Sequence, residues 1–314
     1  MVSMKMSKSL LGWKLHMQSG NYSSVTIDNY LSGIDKLIKH LGDPNAEDVT
    51  IWDLEGFMIS LREKSVSEST RQYYWKIIKS YFTWASKRKG LGIENPAVDL
   101  EMPSVPNPEV LPYPEQEIKA LLNACKMSEE SQTEKRSTWK FKRPTAERDQ
   151  LLILVLLDTG VRVSELCRIQ YKDINIENQS IHIHAFETGK KSRDRMVYVG
   201  KRTMQILWRF VADNEDQESY LFTNSVDFGD KPLSRFAVDH LLKRLGAKAG
   251  VPNCGAHRFR HTFAIQYLRN GGDIYTLKRL IGHNSLRMVQ RYLQLAESDS
   301  QTAHRKASPV DNWM

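Results

Sequence analysis

His257-Arg258-Phe259-Arg260-His261-Thr262-Phe263-Ala264 is the stretch around which the rest of the chain can be read. His257 and Arg260 stand three apart, so on a helix both project from one face. Downstream come Ile281-Gly282-His283 and then Tyr292. Imidazole, guanidinium and phenol groups on helical segments would form a pocket of donors around a phosphate, with a hydroxyl placed to attack it. Singly, each has an ordinary explanation. His283 after Gly282 reads as a cap or a core histidine. Tyr292, with Val289 and Leu293 at helical spacing, reads as a half-buried core tyrosine. The combination carries the reading.

Composition narrows the setting. The 314 residues suffice for two domains with cores of their own. Hydrophobic residues at 40% and charged residues at 26% describe a globular chain. A net charge of +8 favours a polyanionic partner, nucleic acid foremost. The longest apolar run, Leu151 to Leu157, is far short of the ~20 residues that span a bilayer. The N-terminus has lysines but neither a long apolar core nor a small-residue cleavage site. Cys125, Cys167 and Cys254 are isolated from one another and fit no disulfide framework. The expectation is a cytoplasmic protein with buried structural thiols.

In chain order, residues 1–20 pattern weakly and are expected to form an N-terminal arm, frayed or docked on a partner. A helix is legible from Thr26, with Tyr30, Ile34, Leu37, Ile38 and Leu41 at helical spacing and Gly42 and Pro44 as its stop. Thr50 with Asp53 predicts a capping box for a second helix, with Leu54, Phe57, Met58 and Leu61 as its buried stripe. Ser67 or Ser69 caps a third, predicted to reach Lys89. Residues 21–101 thus form a small helical domain. Its lysines and arginines lie beside aromatics, as in Arg71-Gln72-Tyr73-Tyr74-Trp75-Lys76, and such a face suits phosphate-backbone contact. Five prolines between Pro103 and Pro114 mark 102–114 as a linker.

The second domain, 115–298, begins with a helix at Glu115–Lys126. Residues 127–145 lack a period and read as a loop or a partly helical insertion. An apolar helix over 146–158 ends at Thr159-Gly160, and another begins near Val161, with Ser164 or Thr159 available as its cap. Ser180 to Phe186 alternates at period two and pairs with Met196 to Val199 across a turn holding Gly189, Lys190, Lys191, Ser192 and Arg193. His182 and His184 share one face of the first strand. No third metal ligand is evident in the sequence, so they read as an exposed face and no metal or cofactor is expected. Helices follow near 202–213, 233–248, 257–270, 273–281 and 285–296. The tail, 299–314, is polar with an amphipathic end at Trp313. The fold class is mainly α in two domains, the second mostly helical with a small antiparallel sheet.

Two earlier residues complete the pocket. Arg162 lies among apolar residues after a helix break, where a buried cation must be paired, and Glu165 is the local partner. Lys190 sits at the predicted hairpin tip, where a cation can swing over a bound anion. The order Arg, Lys, His-x-x-Arg, Gly-His, Tyr, on the strings Thr159-Gly160-Val161-Arg162-Val163-Ser164-Glu165-Leu166, His257 to Ala264, Ile281-Gly282-His283 and Tyr292, resembles the tyrosine recombinase (phage integrase) family. The likeness covers most of the chain. It extends to the helical N-terminal half with Asn95-Pro96, which is similar to the family's SAM-like core-binding domain, Xer-type rather than a larger phage integrase. The hairpin departs from the family's frequent Gly-Lys-Gly with Gly189-Lys190-Lys191, so Lys190 is the choice for the catalytic lysine and Lys191 the fallback.

The resemblance implies a site-specific recombinase. Arg162 and Arg260 clamp the nonbridging oxygens of a phosphodiester. His257 and His283 donate or shuttle protons, with His257 as base. Tyr292 attacks phosphorus to give a 3′-phosphotyrosyl intermediate, and Lys190 protonates the leaving 5′-oxygen. Neither metal nor ATP is required. The implied partners are double-stranded DNA at specific sites and three further copies of the chain, a tetramer passing through a Holliday junction, with no membrane. The alternatives are a type IB topoisomerase-like nicking-closing enzyme and a catalytically silent DNA-binding protein of the same fold.

Overall fold

The computed structural model describes residues 3–87, 90–105, 111–126, 131–133, 136–139, 145–185, 193–212, 216–224, 231–283, 285–296, 304 and 308–313. The chain divides into two compact units, the first up to Pro108 and the second from Glu109.

The first unit holds four helices: α1 (Met6–Ser19), α2 (Ser24–Leu41), α3 (Ile51–Glu63) and α4 (Glu68–Ala85). Their starts follow side-chain capping. Ser23 and Ser67 accept from the backbone N–H groups of Thr26 and Thr70. Thr50 and Asp53 close the predicted capping box. Gly42 ends α2 in the left-handed region. The first twenty residues correct the expectation of a frayed arm: Met6, Trp13 and Met17 of α1 lie in the core of this unit. Trp13 meets the ring of Tyr81 edge-on at 5.2 Å, and the hydroxyls of Ser9 and Tyr81 share a hydrogen bond of 2.6 Å. The helix was hard to read because Leu11 and Leu15 point to solvent, blurring the apolar stripe. Helix α4 ends at Ala85 rather than at Lys89.

In the second unit, α5 (Glu115–Lys126), α8 (Lys201–Val211) and α10 (Ala256–Arg269) pack on the apolar α6 (Ala146–Thr159), and α9 (Arg235–Ala249) packs on α5. The short α7 (Val163–Leu166) follows α6. Residues 127–145, expected as a loop or partly helical, instead contain the antiparallel pair β1 (Ser131–Thr133) and β2 (Arg136–Trp139). The larger sheet has three antiparallel strands in the order β3 (Ile174–Asn175), β4 (Ser180–Ile183) and β5 (Arg195–Tyr198), one strand more than expected. Period two decides its faces. Ile181, Ile183, Arg195 and Val197 are buried, while Met196 and Tyr198 are exposed. Helices α11 (Ile274–Ile281) and α12 (Arg287–Ala296) pack on α10 around Ala264, Ile265, Leu277, Val289 and Tyr292. A last short helix, α13, spans Pro309–Trp313. Cys125, Cys167 and Cys254 are buried and in no disulfide, and burial raises the Cys167 thiol to about 11.

The downstream end of the proline-rich stretch belongs to this unit. Tyr113 is buried, its N–H donates to Thr262 at 2.8 Å, and Arg258 stacks over its ring while pairing with Glu117. Among the described residues no helix is long and apolar enough to cross a membrane.

Candidate active site

Two helix ends build the site. The first is the C-terminus of α6. Gly160 adopts φ 61°, and a Cβ there would fall 2.4 Å from the Phe263 ring, so the turn needs glycine on both counts. The turn delivers Arg162 to the N-cap of α7, and neither Ser164 nor Thr159 caps that helix with its side chain. The carbonyl of Gly160 accepts from Arg260 at 2.7 Å.

The second is the C-terminus of α11, where unpaired helix carbonyls attract cations. Leu280 O accepts Nε of Arg195 at 2.7 Å, Ile281 O accepts Nη2 of Arg260 at 2.5 Å, and Gly282 O accepts Nη2 of Arg162 at 3.3 Å. Gly282, with φ 66°, ends the helix, and its ideal Cβ position is 3.1 Å from the Arg195 guanidinium. Three guanidiniums thus meet at one helix end.

Glu165 ties two of them together. Its carboxylate accepts from Arg162 Nη1 at 3.1 Å and from Arg195 Nη2 at 2.8 Å, and also from the Arg162 backbone N–H at 2.8 Å. Burial alone would raise its pKa, but the bonds and charges of Arg195 and then Arg162 prevail and hold it near 2. Arg260 is 2% exposed, and its hydrogen bonds run to the two carbonyls. Burial, with Arg162 beside it, pulls its pKa down to about 10. Among the described residues, the three guanidiniums of the cluster adjoin one carboxylate, Glu165, and the site is electropositive.

The imidazoles and the phenol adjoin it. His283 is buried, and its Nδ1 lacks a hydrogen-bond partner among the described residues. Burial and the neighbouring guanidiniums hold it at about 3. His257 keeps an exposed edge, and burial, then Arg260 and Arg162, lower its pKa. The rings of His257 and His261 lie 4.4 Å apart. Tyr292 on α12 is 4% exposed, and its hydroxyl shares a 2.8 Å hydrogen bond with Nδ1 of His261. Burial, then His257 and the guanidiniums, hold His261 near 4, so at neutral pH its ring is neutral, and in the Nε2–H tautomer Nδ1 accepts from the phenol. Burial raises the Tyr292 pKa, and Arg260, Arg291 and Arg162 pull against that. The Tyr292 ring stacks 6.2 Å from that of His283.

The structure therefore brings together Arg162, His257, Arg260, His283 and Tyr292. Lys190 and Lys191 lie outside the described residues. Sequence reading missed Arg195 and assigned no role to His261. Arg195 was findable: it precedes Met196 in a period-two strand and shares the inward phase of Val197, where a cation needs a partner. His261 is four residues from His257, one helical turn along the same face.

Comparison with known proteins adds to this geometry. A family model described as the phage integrase family matches residues 113–299. A second, described as the phage integrase N-terminal SAM-like domain, matches residues 10–90. A protein named tyrosine recombinase XerA from Thermococcus kodakarensis is 27% identical over 289 residues, covering 92% of this chain and 91% of its own length. One named tyrosine recombinase XerC from Bacillus pumilus is 25% identical over 302 residues, covering 92% of each. Among solved structures, the Tn1549 transposon integrase in complex with a circular intermediate DNA shares the fold with a TM-score of 0.74 at 18% identity, covering 92% of this chain and 95% of that one. A lambda integrase dimer bound to a core site does so with a TM-score of 0.71 at 16% identity, covering 95% of this chain and 80% of that one.

Proposed function

The chain belongs to the phage integrase family, and on that premise we propose that it is a site-specific tyrosine recombinase that breaks and rejoins DNA with Tyr292 as nucleophile. The observation that carries this reading is the phenol of Tyr292 set beside Arg260 and Arg162, in a cluster of three guanidiniums of which two share the Glu165 carboxylate. A phosphodiester supplies the missing negative charge. Its nonbridging oxygens become more negative in the transition state, where preorganised donors contribute most. Arg162 and Arg260 take those oxygens. Arg195 holds Glu165 and the end of α11, so it positions Arg162.

In the reaction the phenolic oxygen attacks phosphorus, the bond from phosphorus to the 5′-oxygen breaks, and a 3′-phosphotyrosyl bond forms. The phenol's proton leaves by way of its contact, His261, toward His257, the base proposed from the sequence. Lys190 delivers a proton to the departing 5′-oxygen. His283, with its spare ring nitrogen, donates to the phosphate. The covalent bond conserves the phosphodiester energy, so a 5′-hydroxyl rejoins the strand without ATP, and a hydroxyl from another duplex gives strand exchange. Four copies on two sites, acting in the cytoplasm through a Holliday junction, complete the scheme. The first unit, α1 included, serves as the second DNA-contacting domain, the proline-rich stretch before Tyr113 as the linker and the unit that holds 115–298 as the catalytic domain.

The test is a suicide DNA substrate from which the cleaved 5′ fragment escapes. The wild type should accumulate a covalent protein–DNA adduct and Tyr292→Phe should not. An adduct that persists in that variant would remove Tyr292 from the role.

A further inference from the structure

On the outer face of the three-stranded sheet, opposite in phase to Arg195, two histidines and two carboxylates converge. The register brings them there. Strand β4 pairs His182 with Met196 and Ile183 with Arg195, so the next step sets His184 opposite Asp194. Strand β3 pairs Ile174 with Ile181, so Asp173 stands across from His182. Directly opposed residues of antiparallel strands share a face. Ligand atoms of Asp173, His182 and His184 lie within 4.8 Å of one another, and the two imidazole centroids are 4.1 Å apart.

The distances divide the roles. Oδ1 of Asp194 lies 3.4 Å from Nε2 of His182 and 3.6 Å from Nδ1 of His184. Zinc bonds of about 2.0–2.1 Å to nitrogen or oxygen put tetrahedral ligands about 3.4 Å apart. By contrast, Oδ1 of Asp173 is 2.7 Å from Nε2 of His184, a hydrogen-bond length. Its Oδ2 accepts the Gln170 N–H at 2.9 Å, and the side chain is 3% exposed, so this carboxylate is fixed. A buried carboxylate on the far nitrogen of a histidine orients the near nitrogen toward a metal. A cavity of about 280 Å³, lined in part by Asp173, His182, His184 and Tyr220, adjoins the two histidines.

We propose that His182 Nε2, His184 Nδ1 and Asp194 Oδ1 bind a late first-row divalent cation such as zinc, with Asp173 orienting His184. Two imidazoles and a carboxylate suit such ions and not magnesium or calcium, which prefer all-oxygen shells. The ion clasps the end of β4 to the start of β5, and through Asp173 it engages the turn before β3. It is a structural clasp on the connection that carries Lys190 in the sequence, and it takes no part in the chemistry at Tyr292. The proposal stands apart from the recombinase reading.

The test uses the full chain, stripped of metal and titrated with zinc chloride by calorimetry. The wild type should bind one equivalent that His182→Ala and Asp194→Ala each lose. Asp173→Asn should retain that equivalent with affinity reduced about 10–100-fold. His257→Gln, a control for zinc held by the other histidine cluster, should retain it unchanged. Hydrogen exchange over 180–198 should slow on zinc addition in the wild type and not in His182→Ala. The side chains of His182 and Asp194 are 39% and 63% exposed, so these variants should melt like the wild type, checked by circular dichroism. Zinc uptake identical in wild type, His182→Ala and Asp194→Ala, or no uptake at all, would overturn the proposal. Loss of the equivalent in Asp173→Asn but not in Asp194→Ala would overturn the ligand assignment.

Discussion

Arg260 has the most constrained position in the site. A guanidinium can reach the Gly160 and Ile281 carbonyls with two arms and still present N–H groups to a phosphate, whereas a lysine has a single ammonium for all three. Arg260→Lys is therefore expected to lower single-turnover cleavage of a suicide substrate about 10²–10³-fold, the scale for losing an aligned donor to a developing oxyanion. Cleavage at the wild-type rate would contradict the role given to Arg260. At this scale the sequence disclosed the residues whose types are chemically distinctive. His257, Arg260, His283 and Tyr292 gained meaning together because their order and spacing restricted the chemistry. It did not disclose that Arg195 shares Glu165 with Arg162, because that pair is 30 residues apart and is made by the sheet. Nor did it disclose that the phenol rests on His261, since the register of α12 against α10 is a tertiary fact.

Among elements, the ends of helices do more for the site than their middles. The last turn of α11 gathers three arginines on three successive carbonyls, and the last turn of α6 supplies another carbonyl and places Arg162. This packing keeps the nearby imidazoles neutral, and a pH dependence follows. His283 titrates near 3 in the fold against 6.5 for an ordinary histidine. The stability contributed by its neutral ring is fully present above pH 6.5 and is lost as pH falls from there toward 3. Going from pH 7 to pH 5 should cost about 2 kcal/mol through His283 alone. His283→Asn should therefore lose less melting temperature than the wild type over that interval, and equal losses would contradict the buried neutral ring. Helix α1 gives a second prediction. Trp13 is fully buried, so Trp13→Ala should destabilise the first unit by about 3–5 kcal/mol, seen as a lower thermal or urea midpoint. A change under about 0.5 kcal/mol, ordinary for a surface site, would return α1 to the status of an arm.

Elements were legible where a cap and a period agreed. Thr50 and Ser67 each mark a true helix start, the helix read from Thr26 begins at Ser24, and Glu115–Lys126 forms the helix predicted over those residues. They were illegible where the signals were short or divided. Strand β3 has two residues, too few for a period. Helix α1 carries leucines on its solvent side as well as its buried side. Strands β1 and β2 lie in a polar segment where pairing, not patterning, makes the structure.

For the whole molecule, charge and division into two units are the facts that bear on DNA. A net +8, together with the proposed grip on phosphates, predicts binding by counterion release. Plots of log affinity for target DNA against log salt should fall with a slope of several units, and a flat plot would contradict a backbone grip. Five prolines fall together from Pro103 to Pro114, and Tyr113, packed against Arg258, shows that the end of such a stretch can still be drawn into a core. Assembly into four copies is a proposal at the same scale. Two-site plasmids should recombine, whereas relaxation of supercoils alone would favour a nicking-closing enzyme.

The central claim is that the phenol lying against His261 and the arginine cluster is the group that joins to DNA. The direct measurement is to trap the adduct on a suicide substrate, digest the protein and map the DNA-linked peptide by mass spectrometry. One modified residue is expected, Tyr292, carrying the 3′-phosphate of the cleaved strand. A phosphate on any other side chain, or on the 5′ end, would contradict it.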